Sequence, residues 1–231
     1  MVGPWLSHWP NSARRSSAAV AVSDEFSRLV RTRRMVRAFR RDPIDRAVLA
    51  HIVDLASRSP SAGKTQGWHL VVLEGEDTGR FWRATMSAET RETFRWRHLL
   101  DAPVIALSFA DPQAYLDRYS ASDKSRTGLG ESLDAWPVPY WTIDASFATM
   151  TMLLAAHDAG LGALFFGVFN GEQQLRDELH VPASVQLLGA VALGFEREPD
   201  DNERDDSAFS RGASARLPRA STDSIVHFGG W

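Results

Sequence analysis

The most informative stretch of the sequence reads Pro60-Ser61-Ala62-Gly63-Lys64-Thr65-Gln66-Gly67-Trp68. It follows an amphipathic helix pattern that opens at Asp45, and it leads into an apolar run of strand length, Trp68 to Leu73. Small and hydroxylated residues in such a turn leave backbone amides able to donate hydrogen bonds. Gln66 adds an amide that suits the edge of a flat ring. A plain helix-to-strand connection is an equally simple interpretation.

A second polar motif lies upstream and reads Arg33-Arg34-Met35-Val36-Arg37-Ala38-Phe39. Its three guanidinium groups are close enough in sequence to neutralise a phosphate through charge-assisted hydrogen bonds. Taken alone, the motif is better interpreted as a solvated basic turn. The late stretch Arg216-Leu217-Pro218-Arg219 allows the same two interpretations.

Further helices and strands follow from apolar spacing. Ser23 is expected to cap a first helix. The apolar runs 103–110 and 187–195 predict strands that are covered on both faces. A long helix containing Ile143 and Leu154 is expected to end at Gly160, before a strand over 163–169 and a short helix over 172–179. The glycines between 160 and 167 have two interpretations. They allow the backbone to approach a neighbouring group closely, or they simply border a core strand.

Other segments lack clear periodicity. Residues 1–22 are expected to form a loose tail before a single domain over 23–231. Residues 111–141 are rich in Asp, Ser, Tyr and Trp, which predicts a functional loop or lid. Residues 197–215 are predicted as a polar loop. Residues 224–228 are predicted to add an edge strand, on this molecule or on a partner.

Composition excludes several classes of function. The net charge of −3 gives no bulk electrostatic support for nucleic-acid binding. The absence of cysteine removes disulfides and thiol chemistry, and we expect a cytoplasmic protein. No apolar run approaches the roughly 20 residues that span a bilayer, so no membrane partner is expected. The chain lacks a complete P-loop, a dinucleotide fingerprint, a hydrolase elbow and any metal-ligand spacing.

The order and spacing of these motifs along the chain favour their cofactor-binding interpretations over the purely structural ones. The succession R-R-x-x-R-x-F, S-P-S-A-G-x-x-Q-x-W, a long helix ending in G-L-G, and a late R-L-P resembles the FMN-dependent nitroreductase family over residues 26–231. The segment Trp136 to Trp141 looks closest to actinobacterial members. The resemblance implies an α+β fold with a mixed central β-sheet surrounded by helices, in an obligate homodimer that holds FMN at the subunit interface.

The resemblance also implies roles for individual residues. The expected ribityl and phosphate contacts are Arg33, Arg34 and Arg37, with Arg216 a further phosphate contact and Arg219 its close competitor. Met35 belongs to the same cofactor-binding set, although many members have Ser there. The residues expected to pack on the ring are Pro60, Ser61 and Ala62, with Gln66 nearby. The backbone of Phe166 and Gly167 is expected at the reactive edge of the ring.

The predicted function is that of an FMN-dependent oxidoreductase. It passes hydride from NADH or NADPH through the flavin to an electron-poor small molecule by a ping-pong mechanism. The flavin carries the chemistry, so no catalytic side chain is expected. Trp136, Tyr140 and Trp141 are candidates for the substrate space, and packing is an equally good interpretation of them. Another reaction on the same scaffold, such as dehalogenation, dehydrogenation or flavin fragmentation, stays open. So does a non-catalytic FMN-binding or interaction protein.

Overall fold

The structure is a computed structural model that describes residues 24–203, 207–209 and 212–231. The chain divides into two units, residues 1–32 and 33–231. The first unit contributes one described helix, α1 (Asp24–Thr32), in which no residue is buried. The predicted tail over 1–22 and the predicted cap Ser23 lie outside the described residues. The single domain expected over 23–231 therefore stays a prediction.

The second unit consists of a small sheet with helices around it. Its strands are β1 (Trp68–Glu74), β2 (Val104–Ala110), β3 (Gly162–Phe166) and β4 (Gln186–Gly194). Its helices are α2 (Arg46–Ser57), α3 (Thr78–Thr85), α4 (Ala88–Glu92), α5 (Pro112–Ser120), α6 (Tyr140–Asp158), α7 (Glu172–Leu179) and α8 (Thr222–Ile225). The strands lie in the order β1-β2-β4-β3, and each neighbouring pair is antiparallel. Met35 adds one parallel bridge to Ala163.

Both faces of the sheet are covered, as the unbroken apolar runs predict. Every residue of β2 is buried, and its side chains alternate between two core clusters. Ile105 and Leu107 join the cluster that contains Trp82 of α3, whereas Ala106 joins the cluster that contains Met152 of α6. Burial on both faces explains why these strands show no alternation of apolar and polar residues. The sheet therefore separates a face covered by α3 from a face covered by α2 and α6.

Local chemistry sets the ends of the helices next to the site. The Asp45 carboxylate accepts a hydrogen bond from the Ala47 amide at 2.8 Å, which confirms the predicted start of α2. After α6, Gly160 has a φ of +77°, and the Leu161 amide donates to the Ala156 carbonyl at 2.9 Å. This is the left-handed glycine stop that the sequence predicts. It turns the chain directly into β3.

The prediction of a loop or lid over 111–141 is wrong for its first part. Residues 112–120 form α5, because Asp111 caps the helix through the Gln113 amide and Pro112 occupies its first turn. Tyr115 and Trp136 are buried at 1% and 7% exposure, so this segment also contributes to the packed interior. Tyr115 packs beside α6, where its hydroxyl donates to Asp144 at 2.7 Å.

Two strand predictions need correction. The strand expected over 163–169 ends at Phe166, because its ladder with β4 stops at the pair Phe166 and Ala190. The edge strand expected over 224–228 does not form within this chain. Residues 222–225 instead make the helical turn α8, whose start is capped by the Ser221 hydroxyl accepting from the Ser224 amide at 3.2 Å.

Candidate functional site

A cavity with a volume of about 610 Å³ lies beside the end of β3. We call it the main cavity. Its wall includes Arg37, Trp82 of α3, Trp96, and the predicted site residues Phe166 and Gly167. Trp82 and Phe166 stack with nearly parallel rings, at an interplanar angle of 5°. The cavity therefore offers a flat apolar wall, and two cationic side chains, Arg37 and Arg83, also line it.

Arg37 is held at this wall by its surroundings. Its guanidinium carbon lies 5.3 Å from the centre of the Trp96 ring, within the range of a cation–π interaction. Its Nη1 donates to the Met35 carbonyl at 3.4 Å. Burial lowers the pKa of Arg37, because the charged form loses hydration. An electron-rich or anionic group in the cavity would compensate for that loss.

Residues 33–39 run alongside β3 and connect the main cavity with two smaller cavities. The Val36 amide donates to the Ala163 carbonyl at 3.0 Å, which fixes this segment against the strand. Arg37 also lines a second cavity of about 240 Å³, and Arg34 lines both that cavity and a third of about 150 Å³. Arg33 lies in the third cavity. The predicted arginine motif thus borders three cavities in succession.

Arg33 and Arg34 differ in their charge partners. Nη1 of Arg33 is buried and has no hydrogen-bond partner among the described residues. Arg34 instead forms an ion pair with Glu196, and Glu198 lies 3.9 Å away. The hydrogen bond to Glu196 raises the pKa of Arg34. Of these two, Arg33 is therefore better placed to receive an added anion, because Arg34 already faces a carboxylate.

Within one chain, the Pro60–Gln66 turn does not line the main cavity. It is therefore separated from the predicted site residues Phe166 and Gly167. Ser61 and Gln66 line a cavity of about 60 Å³ together with Ala56, a member of the core cluster on the α2 and α6 face. Phe166 packs on the cluster of the opposite face. Ala62 donates its amide to Asp144 of α6 at 2.8 Å. Within one chain, the sheet therefore separates the Pro60–Gln66 turn from Phe166.

The predicted substrate residues pack against one another. Trp136 donates its indole N–H to the Leu129 carbonyl at 2.8 Å, and its ring lies 5.5 Å from that of Tyr140. Trp141 donates to Oε1 of Gln186 at 3.1 Å. Within the described part of the chain, the wall of the main cavity contains none of Trp136, Tyr140 and Trp141. These contacts favour the packing interpretation, and the substrate role stays a prediction.

The two arginines near the C-terminus, Arg216 and Arg219, do not line the cavities described above. Arg216 ends a short 3₁₀ turn, Ala213–Arg216, and both Arg216 and Arg219 are exposed. Neither borders the main cavity or the two cavities beside residues 33–39, as far as the described residues go. The structure therefore does not join them to Arg33, and their phosphate role stays a prediction.

The described residues include neither a metal-binding cluster nor a helix that could span a membrane. Within them, no group of three or more His, Cys, Asp or Glu side chains could hold a metal ion. Across the same residues, every helix is too short or too polar to span a membrane.

The family model "Nitroreductase family" matches residues 30–195, which include the arginine motif, the 60–68 turn and all four strands. The chain belongs to the nitroreductase family. Membership confirms the predicted nitroreductase-like α+β fold. It also supports the predicted enzyme class, an NAD(P)H-dependent oxidoreductase, and the expected pair of FMN and a nicotinamide donor.

Individual proteins resemble the chain over most of its length. "Nitroreductase NfnB" of Mycolicibacterium smegmatis is 34% identical over 76% of this chain and 70% of its own length. A "NADH dehydrogenase" of Thermus thermophilus is 28% identical over 72% of this chain and 84% of its own. A crystal structure described as "the oxidoreductase containing FMN" shares the fold, with a TM-score of 0.64 and 20% identity over 92% of this chain and 93% of that one.

Sequence reasoning missed several residues of the site. Trp82 and Trp96 reach the main cavity from segments that carried no recognised motif. Glu196 pairs with Arg34 from a position 162 residues later, so no local pattern could find it. Asp144 did leave a signal, because it is a lone carboxylate within the apolar pattern of the long helix. A buried carboxylate in such a helix needs a hydrogen-bonding reason.

Proposed function

We propose that this chain is an FMN-dependent oxidoreductase that takes hydride from NADH or NADPH and reduces an electron-poor small molecule of nitroaromatic or quinone type. The observation that carries the proposal is the meeting of Arg37, Phe166 and Gly167 at the main cavity, from which the arginine motif runs to the cavity that contains Arg33. The names of the two relatives support the reaction class, and the FMN-containing neighbour supports the cofactor.

The residues present suit a flavin mononucleotide. The buried Nη1 of Arg33 has no partner among the described residues and is a donor that a phosphate oxygen would satisfy, since a buried N–H without a hydrogen bond is unfavourable. The stacked rings of Trp82 and Phe166 suit a flat apolar body. Arg37, held over Trp96, suits a polar ring edge on which negative charge develops. Arg33 thus suits the phosphate, the stacked rings suit the flavin ring, and Arg37 suits the charge that develops at the edge of that ring.

When bound, FMN supplies the hydride acceptor and electron donor of the reaction. The chain contributes binding and orientation. Arg33 would neutralise the phosphate, and Arg37 would favour negative charge on the ring. The backbone amides at Phe166 and Gly167 would donate hydrogen bonds at the reactive edge. The apolar wall would exclude water from the reacting face.

We further propose that the site is completed by a second copy of the chain. Within one chain the Pro60–Gln66 turn and the Phe166–Gly167 backbone lie on opposite faces of the sheet, so one subunit presents two half-sites. Helix α6 exposes Phe147 and Met150, at 47% and 40%, which suits an apolar contact between copies. A cytoplasmic location and reaction with a small-molecule substrate belong to the same proposal.

Anaerobic kinetics test the reaction. The FMN-loaded protein should be reduced by NADH or NADPH in a first step, and a nitroaromatic compound should then reoxidise it. Initial rates should give parallel double-reciprocal lines, as expected when the donor leaves before the acceptor binds. A loaded protein that neither nicotinamide reduces would contradict the proposed reaction.

Mixing two variants tests the shared site separately. Arg37→Ala damages the half-site that contains Phe166 and Gly167, and Pro60→Trp places bulk on the exposed start of the other. If the halves belong to different subunits, each mixed dimer contains one intact site, so unfolding and refolding the two variants together should restore FMN binding. Failure to restore any binding, with both variants folded and dimeric, would place both residues in the same subunit's site.

A further inference from the structure

The Pro60–Gln66 turn has a strained backbone. Lys64 and Gln66 adopt φ values of +57° and +58°, a region that residues with a side chain rarely occupy. Two such residues in one short turn persist only when surrounding contacts fix them. The turn is therefore held in one shape, and the groups that hold it decide which face it presents.

Contacts within the turn supply part of this restraint. The Ser61 hydroxyl accepts from the Gln66 amide at 3.1 Å, and the Thr65 hydroxyl donates to the Ala62 carbonyl at 2.6 Å. Helix α5 adds a contact from outside, since Nε of Arg118 donates to the Gly63 carbonyl at 2.9 Å. These bonds connect the turn to itself and to a partly exposed side chain. They do not tie it to the core.

Asp144 of α6 makes the connection to the core. Its carboxylate is buried, with 7% of the residue exposed, and one oxygen accepts two hydrogen bonds. The Ala62 amide donates to Oδ2 at 2.8 Å, and the Tyr115 hydroxyl donates to the same atom at 2.7 Å. Burial and this hydrogen bond raise the pKa of Tyr115, so its hydroxyl stays the donor. A carboxylate is otherwise unfavourable at such a place, and these donors compensate for its burial.

We propose that Asp144 is a positioning residue that fixes the Pro60–Gln66 turn for contact with the flavin ring by holding the Ala62 amide and the Tyr115 hydroxyl. The inference rests on the proposed function, because it assumes that this turn touches the cofactor. Asp144 itself acts through Ala62. Its contribution is to keep the turn ready for binding, so that ordering the turn does not weaken cofactor affinity.

The test compares Asp144→Ala and Asp144→Asn with the control Thr149→Val. Thr149 lies on the same helix, is also buried, and also makes two hydrogen bonds, to Ser108 at 2.9 Å and to the Ala145 carbonyl at 2.8 Å. It does not bond to the turn. Two readouts are needed: hydrogen exchange of the peptide containing residues 60–67 in the FMN-free dimer, and FMN affinity by fluorescence titration.

Asp144→Ala should raise exchange in this peptide and weaken FMN affinity about tenfold, as expected when a buried donor loses its acceptor. Asp144→Asn should recover most of both, because the amide oxygen can still accept from Ala62 and Tyr115. The control should change neither. If Asp144→Ala does not fold, Tyr115→Phe replaces it, with an expected loss of affinity of about threefold.

The outcomes separate the two claims. Wild-type protein that binds no FMN would overturn the proposed function, whatever the variants do. Wild-type protein that binds FMN, with Asp144→Ala and the control alike in both readouts, would overturn the positioning role. Faster exchange in Asp144→Ala with unchanged FMN affinity would also overturn it, because the turn would then be held by Asp144 without touching the cofactor.

Discussion

The rings of Trp82 and Phe166 lie parallel with their centres 5.9 Å apart, and together they form a flat part of the wall of the main cavity. The indole Nε1 of Trp82 is buried and makes no hydrogen bond to any described residue. Trp82 comes from α3 and Phe166 from the end of β3. Packing rather than polar contact therefore brings the helix and the strand together at this wall.

Trp82→Ala should destabilise the cofactor-free protein by about 3 kcal/mol or more, because it removes a large buried side chain and leaves space beside the cavity. The measurement is the free energy of unfolding in urea. Trp231→Ala is the matched control, since Trp231 is fully exposed and its loss should change stability by less than about 0.5 kcal/mol. Equal effects of the two substitutions would contradict the packed wall.

Arg33→Ala should weaken FMN binding and leave the free energy of unfolding nearly unchanged. Its buried Nη1 has no described partner, so the unfolding free energy without FMN should change by less than about 1 kcal/mol. FMN affinity should fall by about 1.5–3 kcal/mol, the range for a hydrogen bond to a charged group. Arg216→Ala should weaken affinity in the same direction if it joins the phosphate site. Arg80→Ala, whose side chain pairs with Glu178 at 2.8 Å, is the neutral control.

Stability should also depend on Tyr115 at alkaline pH. Burial, followed by the hydrogen bond to Asp144, raises the pKa of Tyr115 above its ordinary value of 10.0. A raised pKa means that the contribution of this hydroxyl is complete below about pH 10 and is lost as the pH rises above it. Wild-type stability should therefore fall above about pH 10 more steeply than that of Tyr115→Phe. Parallel pH profiles would show that Tyr115 does not supply this loss.

Gly171→Ala tests the packing of α7 beside the cavity wall. Gly171 has a φ of +72°, and an added Cβ would lie 1.9 Å from the Ala84 carbonyl oxygen. Backbone strain and this clash together should destabilise the protein by about 3 kcal/mol or more. Gly75 has a φ of +56° but open space around it, so Gly75→Ala isolates the strain, at about 1 kcal/mol. A similar loss at both positions would mean that Ala84 moves away freely.

Elements with a local start or stop signal could be predicted closely. The helix predicted over 172–179 has those bounds in the structure, and Asp45 and Gly160 mark the helix ends that were expected of them. Helix α5 was missed although Asp111 and Pro112 form a clear start signal. The polar and aromatic composition that follows suggested a loop, and only the packing of Tyr115 and its neighbours explains that composition.

The site could be predicted only as separate motifs. The arginine motif and the backbone at Phe166 do meet at connected cavities, because residues 33–39 run beside β3. The Pro60–Gln66 turn does not join them within one chain. Which face of the sheet a turn occupies depends on strand order, and strand order leaves no local mark in the sequence. The partners Asp144 and Glu196 come from distant segments for the same reason.

Whether the chain is a flavin oxidoreductase can be tested by the visible absorption spectrum of the purified protein, recorded without oxygen before and after addition of NADPH. We expect the bands of a bound flavin, either as purified or after incubation with FMN, and we expect them to bleach on reduction. A protein that shows no bound flavin even after incubation with FMN would contradict that function.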